Sequence, residues 1–100
     1  MSADDLGIER VIAQFMLSRK IEGCSEKTLV YYHEQLTPFA RYLASQNVHS
    51  VTEVTRDHIR AYMAAMSSRR SAGGLHVIFR VLKTFTRWIA REYELTSWPD

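Results

Sequence analysis

The stretch from 71 to 91 constrains the fold most strongly, because two opposed stripes run along it at helical spacing. Its apolar residues recur at steps of three and four: Leu75, Ile78, Leu82, Phe85 and Ile89. Its basic residues take the same steps: Arg80, Lys83, Arg87 and Arg91. At about 100° per residue, the two sets point in roughly opposite directions on one α-helix. We therefore predict a long helix with one face in a core and the other exposed, either to solvent or to an anion.

Two shorter helices are predicted from their N-cap residues and apolar spacing. The first covers about residues 3–19, where Ser2 and Asp5 form an approximate capping box and apolar residues follow at helical steps. The other begins after Thr55, whose hydroxyl can accept a hydrogen bond from an amide of the first turn, and lasts about a dozen residues. Each of these helices has an apolar side that can be buried.

A further helix is predicted to begin after Ser25, which is a good N-cap residue. Its apolar residues again step by three and four: Leu29, Tyr32, Leu36, Phe39 and Leu43. Pro38 lies inside this pattern, where it removes a backbone hydrogen bond and crowds the preceding turn. We predict that Pro38 kinks the helix near Leu36, or splits it so that Thr37 becomes a new N-cap.

The segment 46–54 lacks a helical apolar period and is rich in polar residues. We expect a connection there, with a short extended piece at 48–51. A chain of 100 residues has the size of one ordinary domain and can bury a core without disulfides. We therefore predict an all-α fold, a compact bundle of four main helices.

Composition excludes several classes of protein. Apolar residues make up 46% of the chain and charged residues 24%, which is typical of a globular domain and not of a disordered chain. No run approaches the roughly eighteen apolar residues that cross a bilayer, and Asp4 and Asp5 replace the basic start of a signal peptide. Cys24 is the single cysteine, so it cannot form an internal disulfide. We expect a cytoplasmic protein with no membrane partner.

The net charge of +2 conceals an uneven distribution along the chain. Residues 1–55 hold five Lys or Arg against seven Asp or Glu, which gives −2. Residues 56–91 hold eight basic residues against Asp57 alone, which gives +7, and residues 92–100 add three acidic residues. This concentration of positive charge is the usual electrostatic feature of a surface that binds a polyanion.

Signals of catalysis and metal binding are missing from the sequence. No glycine-rich phosphate loop follows a strand, and no Ser or Cys stands in the sequence context of a nucleophile. The histidines lie far apart, and none has a second ligand type three or four positions away: His33, His49, His58 and His76. We expect no metal, no cofactor and no small-molecule substrate for this chain.

With the helices placed, the sequence resembles the N-terminal core-binding domain, also called the SAM-like domain, of tyrosine recombinases and phage integrases. The second helix carries the family's pattern in full: Ser25, Thr28, Tyr32, Leu36, Phe39 and Leu43. The third helix is similar to the family's in the run 54–59 followed by Tyr62 and Met63. The last helix is similar in the following positions: Arg70, Ser71, Leu82, Lys83, Phe85, Trp88 and Ile89.

The resemblance implies a domain at 1–96 and, at 97–100, the start of a linker to a catalytic domain that this sequence lacks. Trp98-Pro99 stands where the family commonly has Asn-Pro, and the chain is expected to be a domain excised from a larger recombinase. None of the five tyrosines matches the family's nucleophile, so this chain itself is not expected to be an enzyme. Gly73 and Gly74 replace the polar residues of many members, which argues against side-chain contacts to DNA at those two positions.

The resemblance also implies double-stranded DNA as the partner, held by a clamp in which helices two and four lie in or near the major groove. Other recombinase protomers are implied as partners when the protein assembles on DNA. The DNA-binding positions expected from the resemblance and the basic stripe are Lys27, Tyr31, Arg69, Arg70, Ser71, His76, Arg80, Lys83 and Arg87. Thr28, Tyr32 and Trp88 are expected to be packing residues.

Two other classes of protein account for parts of the pattern. A helical protein–protein interaction module would explain the amphipathic first helix and the aromatic residues Trp88, Tyr93 and Trp98. This role is compatible with DNA binding, because recombinase protomers contact one another through this domain. A small helix-turn-helix repressor is disfavoured, because residues 46–55 are too many for the short turn of that motif.

Overall fold

The computed structural model describes residues 7–93, which contain four α-helices and one short 3₁₀ turn. The helices are α1 (Ile8–Ile21), α2 (Glu26–Ser45), α3 (Arg56–Ser67) and α4 (Ala72–Glu92), and the 3₁₀ turn is Val51–Glu53. The predicted all-α class with four main helices is confirmed. The chain divides into two compact units, Met1–Glu53 with α1 and α2, and Val54–Asp100 with α3 and α4.

Helix α1 begins at Ile8 and not near residue 3, so the predicted start is wrong. Gly7 is its N-cap residue, has φ −60° and ψ 137°, and makes no side-chain capping bond. The same residue pairs with Ser50 in an isolated antiparallel bridge. Because this pairing needs an extended backbone at Gly7, the helix cannot continue through that residue towards the N-terminus. The predicted capping box lies outside the described residues.

Helix α2 continues without interruption through Pro38. Ser25 is its N-cap, as predicted, and its hydroxyl accepts a hydrogen bond from the Thr28 amide at 3.2 Å. The alternative in which Thr37 caps a second helix is wrong, because one helix covers both halves of the pattern. The kink near Leu36 stays a prediction. The buried residues of α2 are Leu36, Phe39 and Leu43.

The connection after α2 contributes buried side chains that its polar composition did not predict. Asn47 adopts the left-handed conformation with φ 61°, which turns the chain away from the end of the helix. Val48 and Val51 are then only 4% and 1% exposed. In place of the extended piece expected at 48–51, Ser50 forms its isolated bridge and the 3₁₀ turn follows directly.

Helices α3 and α4 both begin at their predicted N-caps. The Thr55 hydroxyl accepts from the His58 amide at 3.2 Å, while the Thr55 amide donates to His58 Nδ1 at 2.9 Å. The Ser71 hydroxyl accepts from the Gly74 amide at 3.2 Å. The buried residues of α4 are Ile78, Val81, Leu82, Phe85, Thr86 and Ile89. They include all the predicted apolar positions except Leu75, which is half-buried.

Candidate nucleic-acid interface

Helix α4 presents a line of cations on the side opposite its buried residues. The exposed cations, called the α4 stripe below, are Arg80, Lys83, Arg87 and Arg91. Glu92 at the end of the helix is its sole acidic residue. At 1.5 Å per residue, the stripe is about 16 Å long. Four positive charges over that length, with acid only at one end, create a local potential that attracts a polyanion.

The start of α4 adds polar groups to the end of the α4 stripe. Arg69, Arg70 and Ser71 precede the helix, and His76 lies one turn inside it; all four are exposed. The Ser71 hydroxyl uses an acceptor site for the Gly74 amide and keeps its own proton available for donation. Because helix N-termini favour anions through the helix dipole and unpaired amides, these groups suit a phosphate.

Arg70 acts on a side chain of α3 as well as facing solvent. Burial raises the pKa of the Tyr62 phenol above its ordinary value of 10.0, and the positive charge of Arg70 lowers that pKa by a smaller amount. The Arg70 guanidinium therefore lies within electrostatic range of Tyr62.

Gly73 and Gly74 occupy the first turn of α4 without a packing reason for glycine. A Cβ at Gly73 would meet only the Ser71 hydroxyl oxygen, at 4.0 Å, and a Cβ at Gly74 would meet Arg70 and Ser71 at ordinary contact distances of 3.5 Å. Gly73 lies on the side of the α4 stripe, because it precedes Arg80 by about two helical turns. A missing Cβ there leaves the backbone open to close approach by a ligand.

An open groove of about 450 Å³ lies between α3 and α4, and we call it the α3–α4 groove. Its basic lining residues are Arg56, Arg60, Lys83 and Arg87, and its other lining residues are Ile59, Phe79, Leu82 and Thr86. Phe79 is 45% exposed, and the Lys83 ammonium lies 5.9 Å from the centre of its ring. The binding positions predicted from the sequence do not include Arg56, Arg60 or Phe79. The four-residue spacing of Arg56 and Arg60 was the available signal, since it places both on one side of α3.

The two remaining predicted positions, Lys27 and Tyr31, are exposed on one face of α2. Tyr31 is 37% exposed and lies 6.1 Å from Tyr32, centroid to centroid. Tyr32 packs edge-on against Phe15 of α1 at 5.4 Å, in accord with its predicted packing role. The structure thus places seven predicted positions in the unit of α3 and α4 and two in the unit of α1 and α2. Contact of both sets with one DNA duplex stays a prediction.

Other kinds of site lack support in the part of the chain that the structure describes. Between residues 7 and 93, no three His, Cys, Asp or Glu side chains lie close enough together to hold a metal ion. Within the same range, no helix is long and apolar enough to cross a membrane.

The chain matches a known protein family over most of its length. Residues 11–94 match the family described as phage integrase, N-terminal SAM-like domain. This range includes most of α1 and all of α2, α3 and α4. No curated protein and no solved structure gives a significant match. The resemblance expected from the sequence is confirmed, and the chain belongs to the family of phage integrase N-terminal SAM-like domains.

Proposed function

We propose that this chain is the DNA-binding domain of a site-specific tyrosine recombinase or integrase, and that a different domain of the recombinase carries out catalysis. The α4 stripe is the observation that supports this function best. Its length of about 16 Å corresponds to the axial rise of about five base pairs, so its cations can pair with several phosphates of one strand. Family membership supports the same assignment.

The residues around α4 would make different kinds of contact with DNA. Lys83 and Arg87 would pair with phosphates and so provide affinity that is independent of base sequence. Arg69, Arg70 and Ser71 would hold a phosphate at the positive end of the helix. Arg80 and His76, which lie in the first turns of α4, are the best candidates to reach base edges in the major groove.

Helix α2 would supply a second contact with the duplex. Lys27 lies in its first turn and can pair with a phosphate. Tyr31, one turn further, keeps a partly exposed ring and a hydroxyl that can donate to a phosphate oxygen. With α2 and α4 in or near the major groove, the domain would form one side of a clamp around double-stranded DNA.

A second candidate function, contact with other recombinase protomers, rests on exposed apolar side chains of the first unit. Leu17 and Ile21 of α1 are 50% and 77% exposed, and Val30 of α2 is 56% exposed. Leu17 and Ile21 are four residues apart and therefore share a face of α1. Apolar groups in such positions favour contact with another protein. The two functions are compatible when several protomers assemble on DNA.

Neutralising the α4 stripe tests the proposed DNA-binding surface. We expect Arg80→Gln with Lys83→Gln to weaken binding to a mixed-sequence duplex by roughly one to two decades at about 50 mM salt, because one phosphate contact and one cationic contact near the base edges are lost. Fluorescence anisotropy with labelled duplex measures the affinity. Circular dichroism and the free energy of unfolding in urea should be nearly unchanged, since both side chains are exposed.

The matched control changes the same net charge elsewhere. Lys20 and Arg41 are exposed in α1 and α2 and lie outside the proposed surface. Lys20→Gln with Arg41→Gln should weaken binding much less than the α4 pair. Equal losses in the two double variants would mean that net charge, and not the α4 stripe, attracts the duplex. An unchanged affinity in a folded α4 variant would remove α4 from the DNA surface.

A further inference from the structure

The α3–α4 groove combines cations with an exposed aromatic ring and apolar surface. Phe79 is the sole exposed large apolar side chain between residues 54 and 93. Leu82 is 2% exposed and Ile59 is half-buried, so further apolar surface lines the groove beside the ring. The basic lining residues are all exposed: Arg56, Arg60, Lys83 and Arg87. A ligand that uses the whole groove must therefore carry both negative charge and a flat or apolar group.

A DNA duplex offers only the first of these two features. Its phosphates face outwards, but its bases are paired and stacked inside the helix, where an aromatic side chain cannot reach their faces. In a single strand the faces of the bases are accessible, and aromatic side chains in a positively charged groove bind such strands by stacking. We propose that the α3–α4 groove binds single-stranded DNA, with one base stacked on Phe79 and the adjacent phosphates paired with the groove cations.

The Lys83 ammonium lies in a suitable place for a nucleotide stacked on Phe79. It is 5.9 Å from the centre of the Phe79 ring, near the outer limit for a cation–π contact, and Phe79 is 45% exposed. The ring therefore keeps free surface for a base. A phosphate that belongs to the stacked nucleotide can then pair with the ammonium group beside the ring.

Two pairs of cations line the groove, one pair on each helix. Arg56 and Arg60 are four residues apart on α3, and Lys83 and Arg87 are four residues apart on α4. Each pair spans about 6 Å along its helix, which is close to the rise of two stacked nucleotides. No carboxylate accompanies these cations among the lining residues that the structure describes. The groove therefore has enough positive charge for a short strand.

The position of the groove favours DNA over a protein ligand. A peptide with acidic residues next to a large apolar side chain would also match the charge and the apolar surface. Lys83 and Arg87, however, line the groove and also belong to the α4 stripe, so the groove and the proposed duplex surface are continuous. A strand that leaves a bound duplex would meet the groove cations without a gap in positive charge. The inference thus rests on the proposed DNA-binding function and adds a second form of DNA to it.

The stacking is tested by fluorescence anisotropy with labelled oligodeoxythymidylate of about twelve nucleotides, a strand that cannot pair with itself. The matched probe is an abasic strand of the same length, which keeps the phosphates and lacks the bases. At about 50 mM salt, oligodeoxythymidylate should bind at least roughly fivefold more tightly than the abasic strand, because only the first can stack. Equal affinities would overturn the proposal, since charge alone would then hold the strand.

Two substitutions of Phe79 separate stacking from folding. Phe79→Leu keeps an apolar side chain but removes the ring, so it should weaken oligodeoxythymidylate binding at least roughly fivefold. Phe79→Trp should bind this strand as tightly as the wild type or more tightly. Both variants should bind duplex within about twofold of the wild type, because stacked bases do not reach the ring. Unchanged single-strand binding by folded Phe79→Leu, or an equal loss of duplex binding, would overturn the proposal.

The α3 cations test the charged side of the groove. Arg56 and Arg60 do not belong to the α4 stripe, so Arg56→Gln with Arg60→Gln should weaken single-strand binding roughly tenfold and duplex binding much less. Lys20→Gln with Arg41→Gln removes the same charge from the first unit and should change single-strand binding little. Equal losses of single-strand binding in the two double variants would overturn the assignment to the groove.

The outcomes distinguish this proposal from the function on which it rests. Duplex binding that depends on the α4 stripe, without single-strand binding, would overturn the groove proposal alone. Single-strand binding that depends on Phe79, without duplex binding, would support the groove site and overturn the proposed duplex surface. Binding of a peptide of alternating Asp and Leu, with no binding of oligodeoxythymidylate, would overturn the proposal in favour of a protein partner. Tighter binding of oligouridylate than of oligodeoxythymidylate would overturn the assignment to DNA in favour of RNA.

Discussion

At the scale of single residues, a substitution at Gly73 is expected to have opposite effects on folding stability and on duplex binding. A helix disfavours Gly by about 1 kcal/mol relative to Ala, and a Cβ at this position meets nothing closer than 4.0 Å. We therefore expect Gly73→Ala to raise the free energy of unfolding by up to about 1 kcal/mol, measured in urea. If a DNA backbone approaches the first turn of α4, the added methyl group should weaken duplex binding roughly tenfold.

The neighbouring glycine provides the control for that prediction. Gly74 has equally ordinary surroundings for a Cβ, but it is rotated by about 100° from Gly73 around the helix. Gly74→Ala should therefore stabilise the chain by a similar amount and leave duplex affinity unchanged. Equal affinities in both variants would show that the glycines merely weaken the start of the helix. A loss of stability in Gly73→Ala would contradict the open surroundings of that position.

At the scale of elements, the register of α4 decides which of its residues face a core and which face a ligand. Phe85 is 2% exposed, so we expect Phe85→Ala to lower the free energy of unfolding by roughly 3–5 kcal/mol. Phe79 on the same helix is 45% exposed, and Phe79→Ala should cost much less. Urea denaturation of both variants measures the difference. Similar losses for the two would mean that the α4 stripe is placed on the wrong side of the helix.

The elements that the sequence predicted well are those whose signals are local. The N-caps Ser25, Thr55 and Ser71 lie three residues before the amides that they cap, so their pattern is visible in a short window. The apolar periods of α2 and α4 are local in the same sense. Each correct helix start depended on contacts between residues that are close in the chain.

The features that the sequence did not predict depend on contacts between distant residues. The start of α1 is set by the pairing of Gly7 with Ser50, which no local pattern reveals. The α3–α4 groove exists because Arg56 and Arg60 of one helix face Phe79 of the next, and this requires the packing of the two helices. The sequence therefore predicted where a cation lies on its own helix, but it did not predict which residues of another helix lie next to that cation.

At the scale of the whole molecule, charge is separated between segments of the chain. The net charge of +7 in residues 56–91 belongs to the segment that forms α3 and α4, whereas residues 1–55 carry −2. The net charge of +2 therefore underestimates the attraction that a polyanion meets at the basic segment. A surface of this kind gives binding that is fast and strongly dependent on salt.

The salt dependence of duplex binding follows from the number of cations that contact phosphates. The cations proposed to pair with phosphates are Lys27, Arg69, Arg70, Lys83 and Arg87. Each phosphate contact adds about 0.9 to the slope of log affinity against log salt concentration. Between about 50 and about 200 mM salt, five contacts should lower the affinity by roughly two and a half to three decades, and three contacts should lower it by roughly one and a half decades. Anisotropy of the wild-type chain over this range measures the slope. A slope below about one would mean that fewer than two phosphates are contacted, too few for a domain that clamps duplex DNA with both α2 and α4.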